Sequence, residues 1–535
     1  MDERLKLKSG VKAGTLLIAV LLITYVTISF AQRQRGDSPQ VRPRRVAGST
    51  PSVIQVRRGG NLQAALDAAA AGDTIILEAG ATYVGPFTLP AKPASGDLWI
   101  TIQSSASGQL PPAGSRVSPA HASLMPKLVS PGNNQPALRT APYAHHYRLI
   151  GLEVAPASPD AKLRELIQLG DGSAAQNSLE QVPHHLSLER CYIHALPGQE
   201  LIRGVALNSA TTDILDCYVS DFKSKNFDAQ AVWGWNGPGP FRVVNNYLEA
   251  SGENFGFGGA VPGIPGLVPS DIEFRRNHSS KPLSWRGVWK VKNLIEFKSA
   301  RRVVVDGNLF EHNWGPEQGG FAVVLTVRTE GCQAMQSTIE DVSFTNNTVR
   351  HAGGGINVLG RDDYPGCTSR RVRNVEVSNN LFEDVAKAWG GVGHFLQITD
   401  AENFRVAHNT ILHEGNLIHT YGAPSAGFQY RDNLSHHGEY GIFGGGQSAG
   451  NASIRAYFPG GVISRNVIAG ANTAVYPPNN FYPASLEEVR FVRRAARDYR
   501  LAANSPYKGR GAGGRDPGCD FESLNAALPA AGRVP

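Results

Sequence analysis

Three side chains stand out by type and spacing: Glu296 and Lys298 in NLIEFKS, and Arg328 in LTVRTEG. Removing a proton next to a carboxylate needs a base, a cation that holds the carboxylate, and an acid for the leaving oxygen. Lys298 fits the base if Arg328 depresses its pKa by like-charge repulsion. Arg328 fits the carboxylate holder or the acid. A second chemistry uses paired carboxylates, which cleave glycosidic bonds when about 5 Å or about 6.5–9.5 Å apart. Asp362, Asp363 and Asp400, with Glu296 and Asp171, supply the acids, although Asp362-Asp363 lies in GRDDYPG, a turn composition in which Asp commonly serves the backbone. His351, His394 and His419 stand near strand ends, able to assist either scheme or to be structural. A third reading gives the same side chains a binding role without turnover.

These residues need a scaffold that brings distant segments side by side. Short apolar alternations recur at Ile167–Leu169, Val205–Leu207, Phe255–Phe257, Ile295–Phe297, Val323–Val327, Ile356–Val358 and Leu396–Ile398. Alternation sends the apolar members inward and the middle ones outward. The outward row and the residues just after it then include Gln168, Glu296, Lys298, Arg328, Asn357, Arg361, Gln397 and Asp400, with Trp233 and Trp235 one coil below Phe255. Such a strip suits an extended polymer, with the Trp rings stacking on sugars and Glu296, Asn357, Arg361 and Gln397 meeting polar groups.

A second signature repeats between these alternations: a polar pair followed by apolar residues. It runs from Arg190-Cys191 and Asp216-Cys217 through Asn245-Asn246, Arg276-Asn277, Gly307-Asn308, Asn346-Asn347, Asn379-Asn380, His408-Asn409 and Asp432-Asn433 to Arg465-Asn466. A fixed local pattern at variable spacing means coils of constant core joined by loops of variable length. Stacked coils sit about 4.8 Å apart, close enough for asparagine amides to bond from coil to coil. The expected fold is all-β, a single-stranded right-handed parallel β-helix (a solenoid) over residues 53–506. Asn61 is an N-cap for a short helix from Leu62 to Ala70, expected to cover its N-terminal end. Residues 507–535 are expected to be an irregular tail, with Phe521 to Leu528 folding back over the C-terminal end.

The opening NLQAALDAAAAGDTIILEAGATY and the Asn repeats resemble the pectate-lyase-like β-helix superfamily, over Val53 to about Pro506. IEFKS and LTVRTEG are also similar to the lysine and arginine segments of the alginate lyase and chondroitinase B family of polysaccharide lyases. That resemblance implies β-elimination on a uronate polymer, with Lys298 as base and Arg328 as partner, beside a calcium for which Glu296 is the local candidate ligand. Thr329 stands where that family usually has His. The Asn-Thr-Asp, Asp-Asp, Gly-His-Gly and Arg-Ile-Lys set of the polygalacturonases is missing.

The net charge of +7 is misleading as a guide to partners. Nine Lys/Arg against three acids in residues 1–45 supply +6 of it, leaving the repeats almost neutral, which argues against nucleic acid. Lys6, Lys8 and Lys12 precede an apolar run, Ala13 to Phe30, so residues 1–31 read as a signal peptide or membrane anchor and 32–52 as a basic flexible linker. The expectation is a secreted or cell-envelope monomer that meets an extracellular polysaccharide, touching membrane only through that segment. Of five cysteines, Cys191 and Cys217 occupy Asn places in adjacent coils, where they read as packing residues although adjacency would permit a bridge, and Cys332 and Cys367, in the neighbouring loops TEGC and YPGC, are candidates for a disulfide.

Overall fold

The computed structural model describes residues 50–93 and 96–535. The export segment and nearly all of the basic linker lie outside the described residues. Among the described residues no helix is long and apolar enough to cross a membrane.

Three long parallel sheets hold 14, 12 and 13 strands, and each complete coil adds one strand to each. The coil containing the lysine candidate shows the order: Asn293–Phe297 joins the 12-stranded sheet, Ala300–Asp306 the 14-stranded sheet and Leu309–Asn313 the 13-stranded sheet. Within these three sheets every strand pairing is between successive coils in parallel register, for example Phe255 with Ile295 and Ile295 with Val323. This is a parallel β-helix. Its core is a continuous column of inward Val, Ile, Leu and Phe, including stacked Phe255–Phe274, Phe274–Phe310 and Phe310–Phe344 rings.

The polar pairs turn the chain between the 14- and 13-stranded sheets. The first member of each is left-handed, with φ between 51° and 56° at Arg190, Asp216, Asn245, Arg276, Asn346, Asn379, His408, Asp432 and Arg465. Gly307 serves the same bend with φ 66°. The second member points inward and bonds along the stack. The carboxamide oxygen of Asn308 accepts from the amide of Asn277 at 2.8 Å, its own amide donates to Asn347 at 2.9 Å, and its Nδ2 donates to the Phe274 carbonyl. The ladder runs from Cys191 and Cys217, whose backbone amides donate to Cys217 Sγ and Asn246 Oδ1, to Asn466. It gains one rung past the sequence repeat, because Asn466 donates to Asn480.

Two chain segments cover this corner from opposite ends. Residues 105–125 reach forward to the middle coils: Gly114 donates to Asp216 at 2.7 Å, and Arg116 donates to the carbonyls of Asn245 and Arg276. Residues 511–533 run back over later coils. Ala512 donates to Asp432, Asp520 to Asn379, and Gly532 packs on Leu309. The helix Phe521–Ala527, capped by Asp520, buries Phe521, Leu524 and Leu528 with Leu381, so it lies along the side of the central coils and away from the C-terminal end. The strand Asp498–Leu501 pairs antiparallel with Phe491–Arg493, outside the three sheets. At the other end the helix Leu62–Ala68 places Leu62, Ala65 and Leu66 in the core, with Asn61 accepting from the Ala64 amide at 3.0 Å.

Candidate functional site

The outward row of the 12-stranded sheet is continuous: Trp233 pairs with Gly256, Gly256 with Glu296, Glu296 with Val324, Val324 with Asn357, Asn357 with Gln397, and Gln397 with His419. It is not open along its length. Glu296 is fully buried, and Trp233 is 2% exposed.

The closure has local causes. Glycine at 256 lets the Trp233 ring lie flat on the strand, where any Cβ would come within 2.4 Å of it. The Trp233 indole N–H donates to the Gly258 carbonyl at 2.9 Å, and Lys298 Nζ stands over the ring at 5.3 Å from its centre. Trp235 donates to the Gly172 carbonyl at 2.8 Å and carries the Arg203 guanidinium over its ring at 4.9 Å. Both Trp rings were expected to stack on sugar. They are instead occupied by the protein's own backbone and cations.

Beneath them lies a charge cluster that the sequence reading missed. Lys292 Nζ stands 2.6 Å from Glu253 Oε1, 2.9 Å from Asp228 and 3.7 Å from Glu296. Lys298 Nζ is 3.5 Å from Glu296 Oε2. The chain continues downward as Gln230 donates to Glu253, Arg203 donates to Gln230, and Arg203 pairs with Glu165. Glu165, Arg203, Gln230 and Glu253 share one register, so aligning the strand starts was the signal that could have found them. Leu294, Ile295 and Phe297 all belong to the core, so the alternation skips a residue there. That slip is how a strand-start residue such as Glu253 and a mid-strand residue such as Glu296 share Lys292.

Burial raises the pKa of Glu253 despite Lys292. Burial also works to raise Glu296, but Lys298 and Lys292 outweigh it and hold this carboxylate ionised. Lys292 is raised, because Glu253, Glu296 and Asp228 outweigh the desolvation of its ammonium.

Lys298 and Arg328 are neighbours as expected: the Arg328 amide donates to the Lys298 carbonyl at 3.1 Å. Their charges are differently placed from the expectation. Lys298 faces the Glu296 carboxylate. Arg328 Nη1 lies 3.1 Å from Asp362 and also binds Asp363. Like-charge repulsion from Arg328 is therefore not the field around Lys298. Asp362 also accepts from the Thr329 amide at 2.7 Å and from its hydroxyl, and these bonds with Arg328 hold it below the usual carboxylate range against the effect of burial. The Cys332–Cys367 disulfide joins the two loops that carry this pair. Asp400 is held by Arg361 at 3.0 Å and Arg371 at 2.9 Å. All three alternative acids are thus paired with arginine.

Above Arg328 the row opens. Gln397 Nε2 donates to Asn357 Oδ1 at 3.1 Å, His419 Nδ1 lies 3.2 Å from Gln397 Oε1, and the His419 ring stacks on Phe443 and tilts against Tyr421. His394 accepts from the Asn416 amide at 2.9 Å and is pushed down to about 4, first by burial and then by His419. His351 is on the 13-stranded sheet with Asp384, away from this face.

Calcium fits poorly here. The Glu296 oxygens are enclosed, and the nearest counter-charges to Oε2 are two ammonium groups, so a divalent ion beside it would meet two positive charges.

No protein-family model matches the chain, and no curated protein does. Solved structures similar to it include the PL6 family alginate lyase AlyGC (14% identity, TM-score 0.48, covering 79% of this chain and 53% of that one). Others are the catalytic unit of a GH87 α-1,3-glucanase from Streptomyces thermodiastaticus (14%, TM-score 0.47, 79% and 69%) and PfbA, a surface adhesin of Streptococcus pneumoniae (10%, TM-score 0.44, 71% and 86%). The chain thus spans about half the length of the alginate lyase. A lyase, a hydrolase and an adhesin at such identities decide nothing about activity.

Proposed function

We propose that this chain is an exported carbohydrate-active protein that cleaves a uronate-containing polysaccharide by β-elimination on the upper half of the 12-stranded sheet. The observation that carries the reading is the backbone bond between Arg328 and Lys298, which sets a lysine and an arginine side by side where the covered part of the face gives way to the open part. In this reading Arg328 binds the uronate carboxylate, and Lys298, after passing its own proton to solvent, takes the adjacent one. The electron pair forms the carbon–carbon double bond, the bond to the neighbouring sugar breaks, and its oxygen is protonated from solvent. Asn357, Gln397 and Arg361 bind the flanking sugars. Glu296 positions Lys298 from below.

Hydrolysis by paired carboxylates is less well supported. A general acid needs a carboxyl that stays protonated near neutral pH, whereas Asp362, Asp363 and Asp400 are all ion-paired with arginines. We also assign the Leu62–Ala68 helix to closing the N-terminal end of a right-handed solenoid, the hand that parallel crossovers favour, and read the protein as a monomer anchored or exported through residues 1–31.

The test is ultraviolet absorbance of the unsaturated product during incubation with a panel of uronate polymers. A rise abolished in Lys298→Ala and Arg328→Ala supports the assignment. New reducing ends without absorbance would move the chemistry to the aspartates, and binding without either product would make this a recognition module.

A further inference from the structure

Two histidine pairs, His145-His146 and His184-His185, open neighbouring strands of the 14-stranded sheet, with His184 in register with His145. The second member of each is left-handed, φ 58° and 53°. That bend belongs to the fold, since Asn374 and Asn403 hold the same place in two later coils of this sheet with φ 54° and 52°. What is particular to these two coils is four imidazoles gathered on one side.

The Nδ1 atoms of His145 and His146 lie 2.8 Å apart, and those of His184 and His185 lie 2.6 Å apart. Corresponding rings stack between coils at 5.2 Å and 4.5 Å. One nitrogen from each of His146, His184 and His185 falls within 4.8 Å of the others, and all three residues are half-buried. Two imidazole nitrogens that close need a single proton or a cation between them. His145 Nε2 lies 3.1 Å from the Lys92 carbonyl, so it carries the ring proton and leaves Nδ1 with its lone pair facing the cluster. Metal-bound imidazoles are commonly oriented by this kind of bond.

We propose that His146, His184 and His185, with His145 as a fourth donor, bind one divalent transition metal of the zinc, nickel or copper class, on a different sheet from Lys298 and Arg328. The ion would tie two N-terminal coils together through nitrogen ligands at about 2.0–2.1 Å, after a small spreading of the rings. The site's own chemistry favours ligation over protonation. Burial, then the neighbouring histidines, push His184 down to about 4 and lower His146 as well, toward the neutral form that binds metal.

The experiment strips the full-length protein with a chelator, dialyses it against zinc chloride, and counts retained metal. The expected result is one ion per chain. Copper should also quench part of the tryptophan fluorescence, since Trp99 lies edge-on to His146 at 5.4 Å. The comparison variant is His146→Asn with His185→Asn, which installs the residue that Asn374 and Asn403 already place at this bend, so the circular dichroism should be unchanged. Loss of the ion and of the copper quench in that variant is expected. No stoichiometric retention by the wild type, or equal retention by the variant, would overturn the proposal.

Discussion

The ammonium of Lys292 lies 2.6 Å from the Glu253 carboxylate, and the two side chains are 8% and 0% exposed. Two charges shut off from water together are tolerated, whereas one left behind is not. Lys292→Met should therefore destabilise the protein by about 3–5 kcal/mol, read by chemical denaturation. The double variant Lys292→Met/Glu253→Gln should recover a good part of this. A single-variant loss of the size seen at exposed pairs would mean that the cluster is hydrated.

The asparagine ladder makes a graded prediction. Asn308 accepts from Asn277 and donates to Asn347 and the Phe274 carbonyl, all in the dry interior. Asn308→Leu strands several of these partners and should cost about 3 kcal/mol or more. Asn308→Cys should cost less, because Cys217 already accepts a neighbour's amide through its sulfur at the same corner. Equal melting temperatures for the two variants would contradict this account.

Glu311 supplies a pH test. Burial works to raise its pKa, but His278 and Arg350 outweigh burial and hold it at about 2. A carboxylate lower in the folded than in the unfolded chain, where it is about 4.3, stabilises the fold above the unfolded value. Its contribution is then lost as pH falls from about 4.3 toward 2. Unfolding free energy should decline over that window in the wild type and decline less steeply in Glu311→Gln, measured by urea titrations at several pH values.

The disulfide closes a loop with a sequence separation of 35. Cys332→Ser/Cys367→Ser should lower stability by about 3–4 kcal/mol on the chain-entropy account. If the loops it joins frame the substrate site, the same variant should lose activity on the uronate panel before it loses secondary structure.

Asp363 competes with any anionic ligand for Arg328 and is 68% exposed. Asp363→Asn should lower KM for a uronate polymer by about twofold to fivefold at low salt, with the difference shrinking as salt screens the pair. Asp362→Asn should behave differently, because Asp362 also binds the Thr329 amide and hydroxyl. It should reduce thermal stability.

The repeat was legible in the residues because each coil solves the same local problem. Asn346-Asn347 or Asn379-Asn380 puts a left-handed residue and an inward amide at one corner, and the Ile295-x-Phe297 alternation faces apolar groups inward. Such patterns depend on a few neighbours and survive any loop between them. That Lys298 and Arg328 sit in adjacent coils was legible for the same reason, although strand register alone sets Lys298 opposite Thr326 and a shift after Leu325 brings the Arg328 amide to it. What covers the outward row was decided only by tertiary structure. Trp233 lies on Gly256 from the coil below, Lys292 reaches back to Glu253, Arg328 is claimed by Asp362 and Asp363 from the coil above, and residues 520–533 return to coils more than a hundred residues earlier. Periodicity states which way a side chain points. Whether it then meets water, an ion partner or another part of the chain depends on long-range packing, which no local pattern encodes.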